Sequence, residues 1–371
     1  VQAAEEMRAI QTLCGEYSEE DIYNMDETGL FWRSAPSNGL ASEKRAGTKK
    51  DKSRISLVVC VNFTGSHRLP IWVIGKAQKP RALKRANLQA IGLEWRANQK
   101  AWMTTLVMND WLKAFYASIE PSRSVLLLMD NLRAHISGVE ITPPPSNIRI
   151  QWLPPNATSL YQPLDQGIIN AIKLGYRKAW IHYMIQEYGE VRNPLKSMNL
   201  YLAVKWISRV WSSEISDGTI YRCFRRAKIL PEQQPISLPI EPLPTLSSLY
   251  QSLQNVAQVP DIVDINEFLN PEDENIEDTN QLGEPDIAEI IARHIGDAPN
   301  EDSDEMEDEQ VEIIVPTAKE ALAAIELVQR YKEHHATTTS DEMKALSRMQ
   351  RSVELELGTQ QQQSTLHSWL T

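Results

Sequence analysis

Cysteine is scarce in these 371 residues: Cys14, Cys60 and Cys223 stand far apart and form no CxxC pair. They can build neither a disulfide framework nor a zinc module, and a reducing intracellular compartment suits them. No apolar run approaches the ~20 residues of a membrane-spanning helix, and the opening Val1-Gln2-Ala3-Ala4-Glu5-Glu6 has no signal-peptide pattern. No membrane partner is expected. An initiator Met is also lacking, as expected of a fragment. What is present is 42% hydrophobic residues, enough for a substantial core over two or three structural units.

Basic residues thin out along the chain. Residues 1–230 hold 31 Lys and Arg against 20 Asp and Glu, a net +11, whereas residues 231–371 hold 7 against 29, a net −22. The overall charge of −11 hides a basic front, and the local field of the folded part decides whether a polyanion can bind. Past Pro231, Pro235, Pro239, Pro242, Pro244 and Pro260 break regular structure, and 261–312 is dense in Asp and Glu. This stretch is expected to be disordered. Two roles are open to it: a solvating linker, or a fold-back onto the basic front as the mimic of a polyanion.

Ile55–Val61 and Leu69–Ile74 are short apolar runs joined by a Gly-bearing loop, the pattern of two buried strands. Trp111, Leu112, Phe115, Tyr116 and Ile119 recur at helical spacing, with Asn109 available as a cap. Val125–Met129, ending at Asp130, and Ile148–Leu153, stopped by Pro154 and Pro155, read as further strands. From Pro163 onward Ile168, Ile169, Ile172, Tyr176, Ala179 and Trp180 form a helical stripe. Asp165, Ile169, Ile172 and Tyr176 would share one face, turning Asp165 inward from the helix start. Strands and helices in this order describe an α/β fold, whose chemistry gathers at strand ends such as Asp26 and Asp130. Residues 191–230 read as helical, with Trp206, Trp211 and a basic end.

Asp26, Asp130 and Asp165 read together as a divided metal site for phosphodiester chemistry. Hard divalent cations prefer oxygen ligands and keep positions open for water and phosphate. Each aspartate also has an ordinary explanation: a carboxylate suits the first turn of a helix, and Asp-Asn after a strand suits a turn. Lys44, Arg45, Lys49, Lys50, Lys52 and Arg54 crowd one stretch around Gly47, fit to clamp phosphates, to serve as a nuclear-import signal or to form a solvated loop. Lys173, Arg177 and Lys178 would extend a DNA-phosphate track along the outer face of the last core helix. Trp95, Trp102 and Trp111 read as core residues.

Thirty-four residues separate Asp130 from Asp165, and Asp26 lies 104 positions before Asp130. Four phrases stand in order: Ile22 to Leu30 (IYNMDETGL), Asn98 to Thr104 (NQKAWMT), Met129-Asp130-Asn131 followed by His135, and Leu153 to Gly167 (LPPNATSLYQPLDQG). Over roughly residues 20–230 the chain resembles the DDE/D transposases of the pogo/Tigger group, within the mariner-like superfamily. The resemblance implies an RNase H-like mixed sheet flanked by helices, with Asp26 on the first strand, Asp130 at the end of the fourth and Asp165 at the start of the following helix. It implies two Mg²⁺ or Mn²⁺ ions on these three catalytic aspartates, double-stranded DNA as partner, the nucleus as compartment and no small-molecule cofactor.

Glu27, Asn131 and His135 form a second tier that could orient a carboxylate or touch the scissile phosphate. The rival to an endonuclease and strand transferase is a non-catalytic DNA- or chromatin-binding protein that retains the fold. Pogo-like transposases carry N-terminal helix-turn-helix modules of the centromere protein B type, whereas here the Asp26 phrase starts about twenty residues in. Phosphate-directed, salt-sensitive DNA affinity is therefore expected of this chain. The expected divisions are 1–20, a helical linker remnant; 21–190, the catalytic domain; 191–230, a helical extension; 231–316, a Pro-rich then acidic linker; and 317–371, two helices and a Gln-rich tail. A homo-oligomer on DNA and a sliding-clamp contact through Gln363–Leu370 complete the expected partners.

Overall fold

The computed structural model describes residues 2–35, 52–154, 158–230, 247–257, 268, 271, 274, 317–333, 339 and 341–354. They fall into two compact units, Val1–Val311 and Glu312–Thr371. The first is built on six strands: β1 (Ile22–Phe31), β2 (Arg54–Asn62), β3 (Ile71–Gly75), β4 (Leu93–Ala97), β5 (Val125–Met129) and β6 (Ile148–Trp152). Their order is β4-β3-β2-β1-β5-β6. β1, β2 and β3 form an antiparallel meander, and β5 and β6 continue parallel from β1. This is the RNase H-like arrangement, a mixed sheet with helices on both faces, and β4 extends it in parallel beyond β3. The extra strand makes Asp130 follow the fifth strand rather than the fourth.

Alternation along the strands creates two apolar faces. Ile22, Leu57, Val59, Val73, Leu126 and Leu128 face one core, with α1 (Gln2–Cys14) and the long helices described below. Tyr23, Met25, Val58, Cys60, Trp72, Leu127 and Met129 face the other, covered by α2 (Thr105–Ser118) and α3 (Arg133–Ile141). Each fully buried aliphatic side chain contributes about 1.5–3 kcal/mol, so the sheet is fixed from both sides. Trp111 is buried and stacks on Phe115 at 5.4 Å. α2 starts five residues earlier than a cap at Asn109 would place it, because the Thr104 hydroxyl accepts from the Val107 amide and caps it. Asn109 lies inside the helix, where its Oδ1 accepts from Thr142.

α4 (Thr158–Tyr161) leads to a short 3-10 turn, Leu164–Gln166, and then to α5 (Ile168–Gly189). Gly167, at φ 139°, separates turn from helix. α6 (Pro194–Ser197), α7 (Leu200–Arg209) and α8 (Asp217–Arg226) complete the helical extension expected over 191–230. Within 231–316, expected to lack regular structure, α9 (Ser247–Ala257) forms and packs on α5. Farther along, Phe268 and Glu274 are buried.

The second unit contains α10 (Ala318–Glu333) and a further helix over 341–354, close to the two helices expected there. Thr317 with Glu320 and Thr339 with Glu342 form reciprocal capping boxes at their starts. Lys332 bonds Glu342 and Gln329 bonds Gln350, holding the pair antiparallel. The Gln363–Leu370 segment, and most of the acidic run, lie outside the described residues.

Candidate active site

Asp26 is the fifth of ten residues in β1, not a strand end. The parallel pairing of β1 with β5 nonetheless stops at Asn24↔Leu128, so Asp26 stands just past its edge, where β5 hands over to Asp130. Strand termination on one side gives Asp26 the position that a strand end would have given it. Asp165 sits in the 3-10 turn ahead of Gly167 and is exposed, while Ile169, Ile172 and Tyr176 are buried. The expected inward face is broken because the helical period does not run through a residue at φ 139°.

Asn24 knits the three carriers together. Its Nδ2 donates to the Leu128 carbonyl at 3.0 Å and to Gln162 Oε1 at 3.3 Å, and its Oδ1 accepts from the Leu164 amide at 3.0 Å. One fully buried amide thus links β1 to β5 and to the turn that bears Asp165. Sequence reasoning passed over this residue. The available signal was its place two positions before Asp26, on the same side of the strand.

His135 on α3 is fully buried between two carboxylates, with Nδ1 2.6 Å from Asp130 Oδ1 and Nε2 2.9 Å from Glu27 Oε1. Burial alone would keep the ring neutral, but Glu27 and Asp130 outweigh it and hold the imidazole well above its usual range, so both nitrogens donate. Asp130 shows the complement: burial would raise it, yet the His135 contact and the Leu132 amide draw it below the usual carboxylate range. Both contacts fall on Oδ1. Asn131 is exposed beside Asp130.

Asp26 and Asp165 are pushed the opposite way. Burial raises the Asp26 carboxyl well above its range, and Asp165, Glu27 and Asp130 add repulsion. Asp165, exposed at its edge, still loses part of its carboxyl's hydration to the surrounding protein, and this together with Asp130 brings it up to about 6, with Lys173 opposing. Four acidic side chains therefore feel one another across the site. Among the described residues no group of three or more His, Cys, Asp or Glu stands close enough to hold a metal ion. The three aspartates interact through their charges without forming a ready-made cluster.

A profile of the DDE superfamily endonuclease family matches residues 52–224, from β2 to α8. Residues 52–224 are a DDE superfamily endonuclease domain. CENP-B homolog protein 2 of Schizosaccharomyces pombe is 36% identical over 342 residues, covering 89% of this chain and 64% of that protein. Tigger transposable element-derived protein 7 of Homo sapiens is 30% identical over 171 residues, covering 42% of this chain and 31% of that protein. The chain thus spans less than two thirds of the length of either relative. Among solved structures, the Mos1 strand transfer complex aligns over 70% of this chain and 62% of that one, with a TM-score of 0.34 at 10% identity.

The basic residues expected to form a DNA-phosphate track do not share one exposed face among the described residues. Lys44, Arg45, Lys49 and Lys50 lie outside the described residues; Lys52 is exposed, and Arg54 stands 4.9 Å over the Trp102 ring while donating to the Lys100 carbonyl. Lys178 is half-buried. Lys173 and Arg177 are not on an outer face at all: they are 2% and 0% exposed and both bond Glu274. The outward reading failed because Phe268 and Glu274, about a hundred positions downstream, pack on Lys173 and Arg177.

Proposed function

We propose that this chain is the catalytic part of a transposase-derived endonuclease and strand transferase that cleaves and rejoins double-stranded DNA in the nucleus, with Mg²⁺ or Mn²⁺ held by Asp26, Asp130 and Asp165. The observation that supports this reading most is the uncompensated charge at the site. Burial first, then the charges of Asp165, Glu27 and Asp130, raise the Asp26 carboxyl, and the imidazole of His135 stands between Asp130 and Glu27 as a counterweight. An all-oxygen donor set with this repulsion suits hard divalent cations in kind and in charge.

Two ions bound there would supply activation of the attacking oxygen and stabilisation of the leaving 3′-oxygen. The chain's own residues do the rest. Asn24 fixes the spacing of the three carriers. His135, braced by Glu27, holds Asp130 by Oδ1 and favours its ionised carboxylate. Gly167 lets the turn carrying Asp165 approach without joining the rigid helix behind it.

One observation favours a second reading, a DNA- or chromatin-binding protein that retains the fold without cutting. The carboxylates do not form a ready-made metal cluster among the described residues. Incubation of supercoiled plasmid with the protein and Mg²⁺ or Mn²⁺, beside Asp130→Asn, separates the two. The catalytic reading expects nicking that falls by a factor on the order of a thousand in Asp130→Asn. Equal nicking by both proteins overturns the assigned site, and DNA binding without nicking supports the second reading.

A further inference from the structure

Glu274 comes from the acidic part of the chain, yet it is fully buried against the endonuclease core. Its Oε1 accepts from the Phe31 amide and from Arg177 Nη2, both at 2.6 Å, and its Oε2 accepts from Lys173 Nζ at 2.8 Å. Arg177 Nη1 donates to the Phe31 carbonyl, and its guanidinium stands 5.0 Å over the ring of Phe268. The tail also lies against the strand backbone. A Cβ on Gly29 would meet the Glu274 carbonyl oxygen at 2.1 Å.

Taken without Glu274, these donors describe an oxyanion cradle: an ammonium, a guanidinium and a backbone amide converge where β1 meets α5. Two cations face one carboxylate, so the cradle keeps a net positive charge when filled. Arg177 Nε is buried with no hydrogen-bond partner, a donor that a carboxylate with two oxygens leaves unused. Lys173 lies about two helical turns after Asp165 and the two feel each other's charge, so the cradle borders the aspartate site. Planar, forked donation of this kind fits a phosphate as well as a carboxylate.

We propose that Lys173, Arg177 and the Phe31 amide form a phosphodiester-binding cradle that Glu274 occupies in cis, so that the acidic tail and the DNA backbone compete for one site beside Asp165. The inference rests on the reading that the aspartate site works on DNA. It assigns to the acidic segment one defined contact, which a diffuse solvating linker would not make. Engaged DNA takes over the donors of Glu274, and the tail leaves the edge of β1.

Two substitutions open the cradle by unrelated means. Glu274→Gln removes the competing charge, and Gly29→Ala pushes the tail backbone away. Binding of a fluorescent DNA duplex, followed by anisotropy at several salt concentrations, is expected to tighten about tenfold in each, with the slope of log affinity against log salt steeper by about one. Adding Lys173→Gln to Glu274→Gln is expected to abolish the gain. Affinities and slopes equal to those of the unmodified protein overturn the cradle and leave the DNA reading standing. Absence of DNA binding by all of them overturns both. Circular dichroism checks that the variants fold. Should either fail to, hydrogen exchange on the unmodified protein decides: saturating duplex is expected to speed exchange over 268–274, and unchanged exchange there overturns the proposal.

Discussion

Strand β1 carries two buried carboxylate sites a few residues apart, and they differ in how their charge is met. Around Asp26 several acidic side chains face one imidazole, whereas around Phe31 a single carboxylate, Glu274, faces a lysine, an arginine and a backbone amide. The first site holds charge that the protein does not neutralise, as suits a place kept for cations. The second holds cations that the protein neutralises with a residue borrowed from its own tail. Removing a charge should therefore have opposite effects on folding at the two sites.

The largest effect on stability belongs to the cation-rich site. Arg177→Met leaves Glu274 buried with part of its support gone, and urea unfolding is expected to show a loss of about 3–5 kcal/mol. His135→Gln tests the acid-rich site from behind. With Asp130 no longer held and kept ionised, Mn²⁺ affinity measured by calorimetry is expected to fall about 10–100-fold, while an unchanged affinity would remove His135 from the positioning role.

The smallest effect has the reverse sign. Because the folded Asp26 carboxyl lies above its ordinary 3.8, the protein is favoured while that group is protonated and loses stability as the pH rises. Asp26→Asn removes this penalty. The variant is expected to be on the order of 1 kcal/mol more stable at neutral pH, with the difference vanishing below 3.8. Mn²⁺ should raise the melting temperature of the unmodified protein and not that of the variant. A variant less stable at neutral pH would show that the acid-rich site is already balanced.

The strands around the site were legible because apolar runs and turn residues declare themselves locally. β2, β3, β5 and β6 overlap the runs that Ile55, Leu69, Val125 and Ile148 open, β3 starting two residues into its run at Ile71. β4 was missed: Leu93–Ala97 contains one buried residue and two charges, and its pairing with β3 is a long-range fact. The aspartates were legible through their phrases, but their surroundings were not. Nothing near Asp165 announces that Gly167 takes φ 139° and ends the helical face. Lys173 and Arg177 look solvent-facing to any local reading, since the group that buries them is 101 and 97 positions away.

The buried carboxylate of Glu274 also bears on where this domain can be cut. A fragment ending at Leu230, the boundary that the helical pattern suggests, would bare the apolar flank of α5 together with two basic side chains on it. Such a surface is prone to clump and to stick to any polyanion in a lysate, and its apparent DNA binding would report the missing tail as much as the domain itself. A fragment that reaches past Glu274 carries its own stopper.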